Sequence, residues 1–359
     1  MLVLFVPFCL AGQQTTIPST SFPAPDFVLR DVPHKEPMRG GQIGAARATI
    51  QPGVGTPTSI NVLAFSGDGH FLAAGKDLGR VVVWNFLAGE VQRTIETGQG
   101  IVSAVALNTD GGILATGGDG DEFSVKLWHV FTGKLIRTIK LGQDVVKDLR
   151  FDSSGKWLAV TYNAGTGYIF NPNTTAPYLE LKGVIAMRFS EDGTVLVTGD
   201  PEAFTNYNTT DWSRNSTTPR WPGYPALLAA DVQRDRIVVY QSYDGSVRLY
   251  RLSSGIGINM PDSGLPKQRT QEPTFVGFML DGSYLFASIR DRLWLWAIGS
   301  NWVCESSAMY SGAGALSPDG RWVVGSKDDP ILSNDRTDGV WVWDVAHLTT
   351  ACGRPFGIE

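Results

Sequence analysis

The stretch Ala64–Gly75, AFSGDGHFLAAG, decides how the rest of the chain is read. An apolar run stops at a small polar turn, Ser66-Gly67-Asp68-Gly69, and a second apolar run follows that ends in small residues. Asp hydrogen-bonds the backbone just beyond it, and Gly adopts a positive φ at no steric cost, so the stretch reads as a β-hairpin. The arrangement then returns as ALNTDGGILATG from Ala106, RFDSSGKWLAVT from Arg150 and RFSEDGTVLVTG from Arg188. It recurs as GFMLDGSYLFAS from Gly277 and ALSPDGRWVVGS from Ala315, with a worn copy, DVQRDRIVVYQS, from Asp231.

A short strand ending in an aromatic follows each hairpin. Examples are RVVVWN, SVKLWH, GYIFN, SVRLYR, RLWLWA and GVWVWD, with a degraded FTNYN in the fourth unit. The closing aromatics are Trp84, Trp128, Phe170, Tyr207, Tyr250, Trp296 and Trp343. The first and last are 259 residues apart, which gives about 43 per unit. A third element, GEVQRTIETGQG (Gly89–Gly100), is closely copied as GKLIRTIKLGQD (Gly133–Asp144). Each unit is therefore four strands without a helix. One such sheet cannot cover both its faces, whereas seven in a ring cover one another.

In period and motif the chain resembles the WD-repeat family from about Arg47 to Asp344, best at SPDGRWVVGS…GVWVWD and TGGDGDEFSVKLWHVFTGKLIRTIKLG. The resemblance implies an all-β fold: a seven-bladed β-propeller of four-stranded antiparallel blades, closed by an N-terminal outer strand. ARATIQPG (Ala46–Gly53) matches the outer-strand pattern VQRTIETG and is the expected closing strand, with LTTACGRPF near the C-terminus as its competitor. Many WD repeats also carry a Gly-His pair whose His links a turn Asp to the closing Trp. Here that position reads Gly98-Gln99 and Gly142-Gln143, and His34, His70, His129 and His347 all lie elsewhere. The family's full tetrad is thus expected in no blade. Asp77, Asp121, Asp244, Asp291 and Asp338 remain as turn supports.

Residues 1–12 have an apolar run, Leu2–Ala11, that reads as an export signal with cleavage near Ala11 or Gly12, although no basic leader precedes it. Phe8 stands before Cys9 where a lipoprotein signal needs a small residue. Residues 13–45, rich in proline, read as an extended linker, and 46–359 as the propeller. The expected location is periplasmic or extracellular. No segment is long and apolar enough to span a membrane. The net charge is -5 and no basic block is present, which argues against nucleic acid as a partner.

No nucleophile elbow, zinc-protease motif or phosphate loop occurs, and four scattered histidines do not make a metal cage. The reading is a non-catalytic interaction scaffold without cofactor or metal, a monomeric ring that holds proteins or peptides on its rim loops. Two features point to binding. Acidic loops between hairpin and third strand place Asp119, Asp121, Glu122, Asp200, Glu202, Asp328, Asp329, Asp335 and Asp338 on one rim, suited to a basic peptide or a cation. The same charges also serve plain solubility. An insertion, DWSRNSTTPRWPGYP, offers Trp212, Arg214, Arg220, Trp221 and Tyr224, residue types that dominate partner hot spots, or that fill an outer strand's contact with its blade. The alternatives are an exported, lactonase-like or translocation-associated propeller using its central channel, and an inert domain of a surface assembly.

Removal of the signal leaves Cys304 and Cys352, an even pair. An even pair suggests a disulfide, but if both sit on outer strands of adjacent blades they are too far apart to bond. A bridge requires the C-terminal tail to leave its blade and fold over the sixth. Asn173, Asn208 and Asn215 begin glycosylation sequons that matter only in a eukaryotic secretory setting.

Overall fold

The computed structural model describes residues 20–21, 25–30, 59–119, 123–141, 144–201, 203–217, 225–241, 246–258, 273, 275–279, 282–289, 292–299, 303–305, 313–327 and 339–352. Two strands, β1 (Thr20–Ser21) and β2 (Phe27–Arg30), precede the first hairpin. Blade one holds β3 (Ile60–Phe65), β4 (Phe71–Lys76), β5 (Arg80–Asn85) and β6 (Glu90–Glu96). Blade two holds β7 (Val102–Leu107), β8 (Ile113–Gly118), β9 (Val125–His129) and β10 (Leu135–Ile139). Blade three holds β11 (Val146–Phe151), β12 (Leu158–Tyr162), β13 (Thr166–Phe170) and β14 (Leu179–Lys182). Blade four holds β15 (Ala186–Phe189), β16 (Val195–Gly199), β17 (Phe204–Asn208) and β18 (Arg214–Thr217).

Blade five holds β19 (Pro225–Asp231), β20 (Arg236–Gln241), β21 (Ser246–Arg251) and β22 (Gly257–Ile258). Blade six holds β23 (Phe275–Met279), β24 (Tyr284–Ile289), β25 (Arg292–Ala297) and β26 (Val303–Glu305). Blade seven holds β27 (Gly314–Leu316), β28 (Trp322–Lys327) and β29 (Gly339–Asp344). A helix, α1 (Val345–Ala351), follows. The first strands of successive blades neighbour one another in order, and β27 meets β3, so the seven sheets form a closed ring.

The repeated residues explain the ring. Every closing aromatic sits opposite an aliphatic of its blade's second strand: Trp84 opposite Leu72, Trp128 opposite Leu114, Phe170 opposite Leu158 and Tyr207 opposite Leu196. Tyr250 pairs with Ile237, Trp296 with Leu285 and Trp343 with Val323. The small residues ending the second strands have a cause as well. A Cβ on Gly75 would lie 2.7 Å from Val102 of the next blade, and one on Gly117 2.5 Å from Val146 of the blade after. Neighbouring blades approach too closely there for a larger residue.

Two residues past each closing aromatic comes a further constant position that the motif comparison alone does not reveal. Phe86, Val130, Leu252 and Val345 occupy it and are buried. The backbone N–H groups of Phe86, Val130, Thr209, Leu252, Ile298 and Val345 donate to carbonyls just before or at the start of the second strand, from His70 O for Phe86 to Arg321 O for Val345. In blade three the position is Pro172, which has no N–H to give. Phe86 reaches across the ring's closing seam, with Phe65 at 4.8 Å, Phe27 at 5.8 Å and Trp322 at 5.9 Å between ring centres.

One expectation needs correction here. An N-terminal strand does close blade seven, but it is Phe27–Arg30 rather than Ala46–Gly53, which lies outside the described residues. β2 pairs antiparallel with β29, Phe27 opposite Val342 and Leu29 opposite Val340, and Leu29 is buried in the core. Part of the stretch expected as linker therefore belongs to the sheet. β1 runs parallel to β26 as a fifth strand of blade six, with Thr20 opposite Cys304.

The pairing of the cysteines, open in the sequence, is decided by the fold of the tail. Cys304 and Cys352 are disulfide-bonded, with their Cα atoms 6.0 Å apart. The chain after Trp343 does not continue as an outer strand. Asp344 caps α1 by accepting from Ala346 N–H at 2.9 Å, and the helix turns the tail over blade six. Val345, Leu348 and Cys352 there share a core with Met279, Tyr284, Phe286 and Cys304.

Candidate functional site

The rim that carries the loops between second and third strands is built by carboxylates acting on backbone. Asp77 Oδ2 accepts from Ser59 N–H at 3.3 Å, and its Oδ1 from Asn61 Nδ2 at 2.8 Å. Asp119 Oδ1 accepts from Ile101 N–H at 2.6 Å, and Asp200 Oδ1 from Ala203 N–H at 2.7 Å. Each uses the short reach of Asp to hold a turn, so these acids fix loop positions first. Asp119 remains exposed. Asp121, Glu122, Glu202, Asp244, Asp291, Asp328, Asp329, Asp335 and Asp338 lie outside the described residues.

The same rim carries Leu78 and Ile101, two exposed apolar residues. Leu78 is 72% exposed and sits in the left-handed region at φ 59°, ψ 24°, a conformation that costs a branched L-residue about 1–2 kcal/mol. Its neighbours impose this conformation. Gly79 follows at φ 72°, its carbonyl accepts from Thr97 N–H at 2.7 Å and from Thr97 Oγ1 at 2.8 Å, and a Cβ on it would overlap the Gln99 carbonyl.

Gln99 is the functional substitution that motif comparison reads as a loss. Trp128 Nε1 donates to Thr116 Oγ1 at 3.0 Å, and Thr116 Oγ1 donates to Gln99 Oε1 at 2.6 Å. Gln99 Nε2 donates to Ser124 O at 2.6 Å. A glutamine amide offers one acceptor and a donor pair, so it stands in for the histidine, and blade two has a complete network in place of the family's tetrad. The full His-based form does not occur there, and the buried relay from rim to closing Trp does. In blade six Ala287 stands where Thr116 does, and Trp296 Nε1 is buried without a hydrogen-bond partner. Replacing Gln99 by Ala strands the Thr116 hydroxyl and the Ser124 carbonyl, at an expected cost of about 2 kcal/mol by urea unfolding. Gln99→His is expected to recover most of it.

On the opposite rim the hairpin turns carry a repeated lock. Phe71, Val195 and Trp322 N–H groups donate to the hydroxyls of Ser66, Ser190 and Ser317 at 3.0, 2.9 and 2.8 Å. Asn108 and Asp152 play the same part for Ile113 and Trp157. Hydrogen bonds from the Ser190 hydroxyl and Thr194 N–H hold the Asp192 carboxyl below the ordinary carboxylate range. Successive turns also touch: Asp68 N–H donates to Thr109 O at 2.8 Å, and Thr109 Oγ1 to Ser153 O at 2.6 Å. His70 Nδ1 lies 2.9 Å from Asp68 Oδ2, while the Ser66 hydroxyl donates to Asp68 Oδ1 at 2.6 Å. The carboxylate thus sits between hydroxyl and imidazole, the wrong order for a nucleophile activated by its base.

Trp212 lies in the β17–β18 turn and packs edge-on against Trp157 of blade three at 5.2 Å, with Tyr178 at 6.1 Å. It fills the seam between blades. Arg214 opens β18 and is exposed, while Arg220, Trp221 and Tyr224 lie outside the described residues. On the innermost strands, Asp148 of blade three meets Arg188 of blade four at 2.5 Å and Arg150 at 3.1 Å. Burial pushes the Asp148 carboxyl up, but the two guanidinium groups outweigh it and hold the carboxyl below its usual range. Among the described residues no group of three or more His, Cys, Asp or Glu is placed to hold a metal ion. No helix among them is long and apolar enough to cross a membrane.

The family model of the WD domain, G-beta repeat (WD40), matches residues 51–85 and 89–129. The second match starts at the outer strand of blade one and ends with the third strand of blade two, so the repeat is out of phase with the blade. A solved structure, the β-propeller domain of Cps50 (Swd1) from Myceliophteria thermophila, is similar at 15% identity and a TM-score of 0.59, over 79% of this chain and 99% of that one. At that identity the likeness concerns the fold. No curated protein matches the chain.

Proposed function

We propose that this chain, a seven-bladed propeller carrying WD40 repeats, is a non-catalytic scaffold that binds protein or peptide partners through its rim loops. WD40 propellers are in general protein-interaction platforms, and the ring here holds its loops in fixed relation through the turn locks and seam residues described above. The observation that carries the reading is Leu78. A leucine kept largely exposed in a costly backbone conformation, on the rim that also bears Ile101 and Asp119, contributes nothing to the core. Backbone strain of this kind clusters at binding sites and ligand clamps, which supports a use for the exposed side chain. The partner is a peptide or protein that offers apolar and basic groups to this rim, with the acidic residues of the neighbouring loops adding attraction.

The protein acts outside the cytoplasm in this reading. The Cys304–Cys352 bridge is stable in an oxidising compartment, in keeping with the apolar N-terminal run. N-terminal sequencing of the protein from its source, together with a thiol count after denaturation, tests this part.

Leu78→Gly separates function from stability. Glycine takes φ 59° without strain, so the variant is expected to be as stable as the parent or about 0.5–1 kcal/mol more stable in urea. Capture of partners on the purified, immobilised ring should at the same time fall several-fold for Leu78→Gly and for Asp119→Ala. Unchanged capture by both variants would defeat the rim reading.

A further inference from the structure

The outer edges of the blades differ in one respect that the rim-loop reading does not use. In blade six the edge strand β26 is covered by an added strand, β1, and in blade seven the outer place is taken by β2. An extended segment from elsewhere in the chain thus already docks by backbone pairing on two of these blades. The edge of blade two is β10, at the end of its sheet. A terminal strand leaves alternate N–H and C=O groups unpaired by its own sheet.

β10 carries an unusual set of side chains for such a position. Leu135 and Ile136 are 49% and 45% exposed. The register slips between Leu135 and Arg137, and this bulge puts two consecutive apolar residues towards solvent. Lys134 and Lys140 flank them and are exposed, Arg137 is half-buried, and no acid lies between Gly133 and Leu141. The matching strand of blade one shows that the apolar pair and the flanking lysines are not required by the fold. With the same bulge and the same Arg-Thr-Ile centre, β6 has Glu90, Val91, Gln92 and Glu96 where blade two has Lys134, Leu135, Ile136 and Lys140.

We infer that the edge of blade two is a docking site for an extended acidic segment of another protein, with apolar residues alternating with Asp or Glu, which adds to β10 as a fifth strand. Backbone pairing supplies the register, Leu135 and Ile136 receive the apolar residues, and Lys134, Arg137 and Lys140 select the acidic ones. A second copy pairing β10 with β10 would oppose lysines and arginines of like charge, which disfavours self-association. The inference does not rest on the rim-loop proposal.

The test uses the whole protein and a soluble peptide of alternating Val and Glu. Binding is followed by calorimetry and by hydrogen exchange at residues 135–139. A Val/Lys peptide and a Val/Glu peptide interrupted by prolines serve as controls. The variant exchanges Lys134→Glu, Leu135→Val, Ile136→Gln and Lys140→Glu, which writes the sequence of β6 into β10, so the strand keeps a composition the fold accepts. Expected are slowed exchange at 135–139, affinity falling steeply with salt, and at least about a tenfold loss of affinity in the variant at an unchanged melting temperature. The inference is overturned by absent protection at 135–139, by equal binding of the Val/Lys or proline-bearing peptide, or by full binding to the variant. It is equally overturned if the free protein self-associates through β10 and the variant does not, since the occupant is then a second copy.

Discussion

Replacing Cys304 and Cys352 together by alanine is expected to lower the unfolding free energy by about 4 kcal/mol. The bridge joins residues 48 apart, and closing a loop of that length removes chain entropy from the unfolded state worth roughly this amount. The native contacts change little, because both cysteines are already buried, Cys304 in β26 and Cys352 just past α1. Urea titration of the parent and the double variant measures the difference, and dithiothreitol should weaken the parent towards the variant while leaving the variant unmoved. A loss below about 1 kcal/mol would mean that packing of α1 on blade six, through Val345 and Leu348, holds the tail without help.

The second large effect belongs to Phe86→Ala, expected to cost about 3–4 kcal/mol. Phe86 is fully buried, and its ring meets Phe65 of its own blade, Trp322 of blade seven and Phe27 of the N-terminal strand. Its removal opens a void where three chain segments meet at the closing seam, and the surroundings are large rings that collapse poorly into it. Thermal unfolding should report the loss, and hydrogen exchange should show it first at β2 and β29. A Phe86→Leu variant keeps most of the volume and should recover about half of the loss. Uniform loosening of all seven blades, with no excess at β2 and β29, would show that the seam does not depend on this residue.

The seven units were legible because the signals for a blade are local. An Asp-Gly turn, an aliphatic second strand and a closing aromatic fall within one short window, and the register of Leu114 against Trp128 is the same as that of Leu72 against Trp84. The closing strand was not legible. Phe27–Arg30 has too few residues to display a period, and prolines on either side give it the look of a linker, although proline is tolerated next to an edge strand. ARATIQPG looked better because it resembles the outer strands of other units, and resemblance does not say which segment reaches the last blade.

The tail stayed open for another reason. Val345, Leu348 and Cys352 recur at helical spacing behind the Asp344 cap, but so short a run gives little periodicity to tell a helix from one more strand. The rim was half legible. Asp119 was placed on it by the repeat, but its bond to Ile101 N–H depends on the adjoining loop, and Gln99 looked like a lost histidine because a glutamine's ability to donate and accept at once leaves no motif. Trp212 illustrates the converse, since an aromatic in an insertion turned inward to a neighbouring blade.

Asp26 and Asp344, 318 residues apart, are joined by a hydrogen bond at the seam, and β2 beside them has no partner until β29 has been made. During synthesis β2 is therefore made long before the strand it pairs with, and finds its place only once blade seven is complete. A nascent chain stalled before blade seven should remain a protease-sensitive arc, and any factor that binds the waiting N-terminal strand would set the moment at which the circle completes.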